Sequence, residues 1–231
     1  MLLLLCIVVL IYVVYSIRNH HRYNLEAGVI QLQEMNHAVI SNKLRELSPI
    51  VIHNTRFPEK ITSQWVVKEN PGYIVNDNNR NILLSSILDP EIDTIMIHRN
   101  SKLSEDTEIS ENLNGLGKYF QNYQSCNRFT TVTIGKGSVI TTPKESIRDI
   151  HIIYQIEGDA TLYLINPKHH DDIRGKSPHK IKKWAHKINM KPGILVSIPT
   201  NWLYVVESNE RIVQGSYESD TYATVVYNYF R

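Results

Sequence analysis

The hydrophobic pattern divides the chain into three stretches. From Leu2 to Tyr15 no position is charged and nearly all are apolar; Ser16 and Ile17 extend the run and Arg18 ends it. As helix, residues 2–17 would reach roughly 24 Å at about 1.5 Å per residue, close to a hydrocarbon core about 27–30 Å thick. Residues 1–17 therefore predict a transmembrane anchor, short enough to need local thinning or snorkelling, with Tyr12 and Tyr15 at the interface. A cleaved signal peptide is the rival reading. No basic side chain precedes Leu2, however, and Tyr15 to His20 offers no small-x-small cleavage site. A buried core helix is the third reading. Residues 18–47 then read as a juxtamembrane segment and an amphipathic helix. Leu25, Val29, Leu32, Met35, Val39, Ile40, Leu44 and Leu47 recur at spacings of three and four, and Pro49 ends the pattern. Asn36 and Lys43 break the seam, which favours a helix packed on the domain over a coiled coil.

From residue 48 to 231 the pattern changes to short β-like runs. They include Pro49–His53, Gln64–Val67, Thr94–His98, Thr130–Ile134, Ile150–Ile156, Thr161–Ile165, Gly193–Ile198, Tyr204–Val206 and Tyr222–Tyr227. Gly135-Lys136-Gly137 is a turn between two of them. Many short strands separated by Gly and Pro turns predict a mostly-β domain with two sheets, a double-stranded β-helix of the cupin or jelly-roll kind. Residues 168–191 interrupt the strands with a basic insertion holding Lys168, Arg174, Lys176, Lys180, Lys182, Lys183 and Lys187 around Trp184. It reads as a solvated loop with a short helix, or as a patch for an anionic lipid or another acidic surface.

Composition narrows the classes. At 231 residues, 42% hydrophobic and 21% charged, the chain suits one packed domain with an appendage. A net charge of +2 is too small to imply a nucleic-acid partner, and none is expected. Cys6 and Cys126 stand far apart, so no disulfide framework is expected. Arg18, Arg22, His20 and His21 follow the apolar run, which by the positive-inside rule places the large domain on the cytoplasmic side of a single-pass membrane protein. The abundance of Asn, Ile and Lys is what an AT-rich genome gives. With a short anchor it is similar to proteins of large DNA viruses, which would make the chain a virion-membrane or capsid-associated component, in a virion or a host internal membrane.

Two segments carry a more specific signal. One is His151-Ile-Ile-Tyr-Gln-Ile-Glu-Gly158 followed by Thr161-Leu-Tyr-Leu-Ile-Asn-Pro167. The other is Lys191-Pro192-Gly193-Ile-Leu-Val-Ser-Ile198-Pro199-Thr-Asn-Trp202-Leu-Tyr204-Val-Val-Glu207. Lys191-Pro192-Gly193 is a tight turn feeding a strand, and Trp202 is a large ring that should be buried. The first segment resembles the Asn-x-x-x-Gln-x-x-Gly motif of the cupin-like hydroxylases related to JmjC proteins. The second resembles their Lys-Pro-Gly-Asp turn, apolar strand and Ile-Pro-x-x-Trp-x-His ending. The likeness covers roughly residues 48–231.

That resemblance implies Fe(II) held by a His-x-Asp/Glu pair and a distant His, with positions left open for 2-oxoglutarate and oxygen. On this chain the three ligand positions fall on Glu145, Ile147 and Tyr204, and the lysine that holds the 2-oxoglutarate carboxylate falls on Ala160. Both imidazoles and the basic anchor are replaced, and isoleucine cannot ligate. The site thus reads as dismantled, with no catalytic residue, no metal and no cofactor. A displaced pair, Asp149 and His151, is the alternative that would restore Fe(II) and 2-oxoglutarate chemistry. Other constellations are weaker. His169-His170-Asp171-Asp172 reads as surface charge, Gly135-Lys136-Gly137 lacks the helix of a phosphate loop, Cys126 has no nucleophile context, and His53 and His98 read as ordinary polar residues. The sequence therefore predicts a membrane-anchored, non-catalytic binding or structural domain, a pseudoenzyme. Its partners would be a bilayer through residues 2–17, an anionic surface through Lys168–Lys191 and a protein not identified. The alternative is a 2-oxoglutarate-dependent dioxygenase.

Overall fold

The computed structural model describes residues 1–20, 22–77, 80–121 and 125–230; His21, one of the charges used to orient the apolar run, lies outside them. Helix α1 (Leu2–His20) comes first, followed by strand β1 (Ile30–Leu32), α2 (His37–Leu44), β2 (Ile50–Ile52) and α3 (Ser63–Glu69). A hairpin of β3 (Ile74–Asp77) and β4 (Arg80–Leu83) leads to β5 (Ile95–Asn100), α4 (Ser101–Asp106) and α5 (Ile109–Gly117). Next come β6 (Ser125–Lys136), β7 (Val139–Ile140), β8 (Lys144–Glu145), β9 (Ile150–Glu157) and β10 (Ala160–Ile165). Short helices α6 (His170–Ile173) and α7 (Pro178–Ile181) precede β11 (Ala185–Met190), β12 (Leu195–Ser197), β13 (Leu203–Ser208), β14 (Ile212–Thr221) and α8 (Tyr222–Phe230).

The large sheet runs in the order β1-β2-β12-β9-β14-β6-β5, and the small one β11-β10-β13-β7, with β8 also paired to β13. Apart from the parallel β1–β2 pair, these pairings are antiparallel. Period-two alternation sends each strand's side chains to two different cores. On β10, Leu162 and Leu164 enter the core between the sheets with Val51, Ile153, Val196 and Trp202. Tyr163 and Ile165 face outward to meet Ile173 of α6 and Ile181 of α7. On β9, Ile153 points between the sheets, while Ile152 and Tyr154 join a second core with Ile40, Val66, Leu103 and Leu113 from α2 to α5.

The mostly-β double-stranded β-helix expected from the strand pattern is corrected to a mixed α/β fold, with about 34% strand and 32% helix. Segments that alternate like strands are helical where caps are supplied. Gln64–Val67 lies in α3, whose Thr62 accepts from the Trp65 amide at 3.2 Å and whose Ser63 hydroxyl donates to Glu157 at 3.0 Å. Tyr222–Tyr227 lies in α8. The amphipathic helix expected over 25–47 is replaced by β1, paired with β2, and by the shorter α2, which starts at Asn36 with its side chain accepting from the Val39 amide. The basic insertion folds into α6, α7, a 3₁₀ turn at Lys182–Trp184 and strand β11.

Among the described residues no helix is long and apolar enough to cross a membrane. This overturns the transmembrane anchor over residues 1–17. The single-pass placement, the cytoplasm-facing domain and the virion or host-membrane location fall with it. Although α1 has 19 residues, Arg18-Asn19-His20 make its end polar. The apolar part is about 24 Å long, less than the roughly 30 Å of a hydrocarbon core. Much of α1, Leu3 to Leu5 included, is exposed, and one side contacts α8.

Candidate functional site

β14 runs through the middle of the large sheet. Its outward positions are shaped for α5: Gly215 leaves room for Leu113, and Tyr217 fills the space beside Gly117. Its other face, turned toward the small sheet, is polar, with Gln214, Ser216, Glu218 and Asp220 at alternate positions. All four are buried. Gln214 is satisfied locally, donating to Gln155 at 2.7 Å. The space between the sheets is thus apolar around Trp202 and polar where β14 ends.

Glu218 is the centre of the polar end. Its cross-strand neighbours are His151 on β9 and Phe129 on β6. Arg99 donates to one carboxylate oxygen at 2.6 Å, and His151 Nε2 lies 3.3 Å from that same oxygen. The other oxygen faces Arg148 Nε at 3.7 Å. Arg148 also pairs with the buried Asp220, and its guanidinium stacks 4.4 Å over the Phe129 ring. Burial pushes the Asp220 carboxyl up, against the pull of Arg148. Tyr204 closes the inner wall, edge-on to His151 with ring centroids 5.0 Å apart.

Burial also fixes protonation. It drives His151 down to about 4, opposed by Glu218 and reinforced by Arg99 and Arg148, so the imidazole is neutral at pH 7. It drives the Tyr204 phenol up to about 12, with Arg99 pulling the other way, so the phenol keeps its proton. His98 is likewise held at about 4, by burial first and then by Lys144 and Arg99.

Arg99 reaches this centre from a kink. Its φ of 51° is that of a left-handed residue, a conformation that non-glycine residues adopt at a cost of about 1–2 kcal/mol. The β5–β6 register shifts between Ile97 and Asn100 at this point. The Arg99 amide donates to Thr133 Oγ1 at 3.0 Å, and Asn100 caps α4 through the Leu103 amide at 2.8 Å. Together these bonds hold the kink.

A cleft of about 730 Å³ opens beside the centre. Arg99, Arg128, Arg148, Phe129, Thr131 and Glu218 line it, with Ser101 and Glu105 of α4 and Ser110 and Asn114 of α5 on the far wall. β5 leaves β6 beyond the Asn100–Val132 pair, so the cleft follows the edge of β6 that β5 no longer covers.

The four positions singled out by the resemblance are not gathered together. Tyr204 joins the polar centre. Its cross-strand partner is Lys144, whereas Glu145 pairs with Leu203. Glu145 therefore shares the outer face of the small sheet with Leu203, away from Tyr204. Ile147 is exposed, and its carbonyl accepts from Asn228 at 3.2 Å. Ala160 is buried at the start of β10 opposite Met190. The displaced pair is also split. Asp149 accepts from the Thr221 amide at 2.7 Å and the Thr224 hydroxyl at 2.6 Å at the start of α8, while His151 faces Glu218. In the basic insertion, Lys182 is tied to Glu207 at 2.6 Å, and Lys176 and Lys183 flank Trp184. Arg99, Arg148, Glu218 and Asp220 are not marked by any motif. Their one signal is the alternate polar positions Gln214, Ser216, Glu218 and Asp220.

The donor set does not suit Fe(II). Among the described residues no group of three or more His, Cys, Asp or Glu side chains could hold a metal ion. One Glu218 oxygen takes Arg99 and His151 and the other faces Arg148, so a cation there would meet two guanidinium groups. No protein-family model and no curated protein sequence matches the chain. The likeness to the cupin-like and JmjC-related proteins rests on the two segments alone, and the viral-protein likeness gains no support.

Proposed function

We propose that this protein works by binding a ligand in the cleft beside Glu218 and carries out no iron-dependent chemistry. The observation behind this reading is the pairing of Glu218 with both Arg99 and Arg148. Two like charges about 4 Å apart repel by roughly 4 kcal/mol at an effective dielectric constant of about 20. A metal ion bound to Glu218 would meet that repulsion from each guanidinium. The protonated Tyr204 phenol adds only a weak neutral oxygen donor. The arginines instead favour an anionic visitor from the open side.

A second reading, a 2-oxoglutarate-dependent dioxygenase with displaced ligands, is favoured by one contact, the approach of His151 to Glu218 at 3.3 Å. One experiment separates the two. Full-length protein, purified in a mild detergent because α1 exposes apolar side chains, is loaded with Fe(II) and assayed for conversion of 2-oxoglutarate to succinate. The binding reading expects iron well below one equivalent and no succinate. Equimolar iron with turnover would establish the second reading and discard the first.

A further inference from the structure

We infer that the cleft takes a phosphate group, carried on a small polar molecule and held by Arg128, Arg148 and Thr131. This rests on the reading of the protein as a ligand-binding domain. Three guanidinium groups reach the cleft from three separate elements: Arg99 from the end of β5, Arg128 from β6 and Arg148 from the segment between β8 and β9. Their partners differ. Arg99 is engaged by Glu218. Arg148 is engaged by Asp220 through Nη1, and its buried Nε stands 3.7 Å from Glu218, an ion-pair distance at which it makes no hydrogen bond. Arg128 is exposed and forms no ion pair with a carboxylate among the described residues.

The second observation is Thr131. Its side chain is 8% exposed, and its hydroxyl is buried with no partner. Thr131 lines the same cleft as Arg148. A buried polar group without a partner costs about 1–3 kcal/mol, so two such groups on one wall point to a missing acceptor. Of the acids lining the cleft, Glu218 already meets Arg99, His151 and, at 3.7 Å, Arg148 Nε, and Glu105 stands on α4 across the opening. The exposed Arg128 has no carboxylate partner among the described residues, and the oxygens of a ligand would serve it together with Thr131 and Arg148.

Geometry selects the kind of oxygen. A carboxylate offers two coplanar oxygens and is matched by one guanidinium fork. A phosphate offers three terminal oxygens in a pyramid, which accept from donors arriving from different directions. Here the donors come from two elements, and the Phe129 ring beneath Arg148 holds its guanidinium in place. The cleft, at about 730 Å³, is larger than a bare phosphate. Ser101, Ser110 and Asn114 opposite the arginines are the groups that would meet the rest of a phosphomonoester.

The test is isothermal titration of the full-length protein in detergent at low ionic strength, with inorganic phosphate, glycerol phosphate and succinate as probes. Saturable one-to-one binding is expected for phosphate or its ester, tighter for the ester if Ser101, Ser110 and Asn114 contribute. Arg128→Gln removes an exposed side chain and should leave the circular dichroism spectrum unchanged while weakening binding roughly tenfold or more, the worth of a charge-assisted hydrogen bond. Thr131→Val, which keeps the shape and removes the hydroxyl, should also weaken it. The inference is overturned if neither phosphate probe binds, if succinate binds as tightly, or if both variants bind like the parent. In any of those cases the absence of iron and turnover would still leave the binding reading standing, whereas iron with turnover would remove both.

Discussion

Trp202→Ala is the most direct probe of the space between the sheets. Trp202 is fully buried there, among Leu162, Leu164, Val196 and Tyr204. Its backbone is fixed on both sides: its amide donates to the Pro199 carbonyl at 3.3 Å, and its carbonyl accepts from the Ser146 amide at 2.8 Å. A buried indole withdraws about 150–250 Å² from water. At about 25 cal/mol per Å², that range is worth roughly 4–6 kcal/mol. One correction runs the other way. The indole Nε1 is buried without an acceptor, and removing it returns about 1–2 kcal/mol. The net loss should be about 3–5 kcal/mol, which is also the usual cost of replacing a core tryptophan by alanine. Set against a total stability of about 5–15 kcal/mol, the variant would be marginal. Urea unfolding followed by far-ultraviolet circular dichroism measures it, with an unchanged slope showing that only stability moved. Trp202→Phe keeps a ring and sheds the unpaired N–H, so it should lose much less. A loss below about 1 kcal/mol for the alanine variant would refute the placement of Trp202 in the core.

Acid should destabilise the fold through its buried imidazoles. His151 and His98 are held at about 4 against an ordinary value of 6.5, so the unfolded chain takes up protons that the folded one refuses. Their contribution is complete above about pH 6.5, declines as the pH falls, and is lost near pH 4. For the fully buried His151 the gap amounts to about 3 kcal/mol. Urea midpoints measured from pH 7 to pH 4 should fall, and His151→Gln should flatten that fall; an unchanged slope would contradict the burial of this ring beside Glu218, Arg99 and Arg148. Gly158→Ala should cost at least about 2 kcal/mol, because Gly158 has φ +71 and a Cβ there would run into the Arg211 carbonyl oxygen. Thermal melts of the variant at parental stability would show that the turn between β9 and β10 is built differently.

Local pattern made much of the strand framework legible. Runs such as Ile150–Ile156 and Thr161–Ile165 alternate between two cores, so nearly every position is apolar or aromatic. The same pattern misled at Gln64–Val67 and Tyr222–Tyr227, where capping from Thr62, Glu157 and Asp149 decides for helix. β14 was hidden for the opposite reason. Its inward positions are Gln, Ser, Glu and Asp, and Gly215 stands where α5 comes close, so the segment reads as a loop until its neighbours are known. The candidate site shares that difficulty. Arg99 and Glu218 are 119 residues apart, and no spacing rule joins them. The resemblance drew attention to Tyr204, which does face the polar centre, but it carried no information about the carboxylate and guanidinium groups around it.

β14 is the last strand along the chain and yet stands between β9 and β6. During synthesis, at about 5–20 residues per second, the strands of the large sheet stay in separate pieces while the stretch from Glu157 to Ile212 is being made, since β12, which joins β2 to β9, and then β14 are the last to arrive. For several seconds those pieces carry open edges, which are templates for pairing with other chains. The strand that closes this gap also brings in Glu218 and Asp220. Until it arrives, Arg99 and Arg148 lack the carboxylates that pair with them, so the newly made protein acquires its cleft only in the step that seals its sheet.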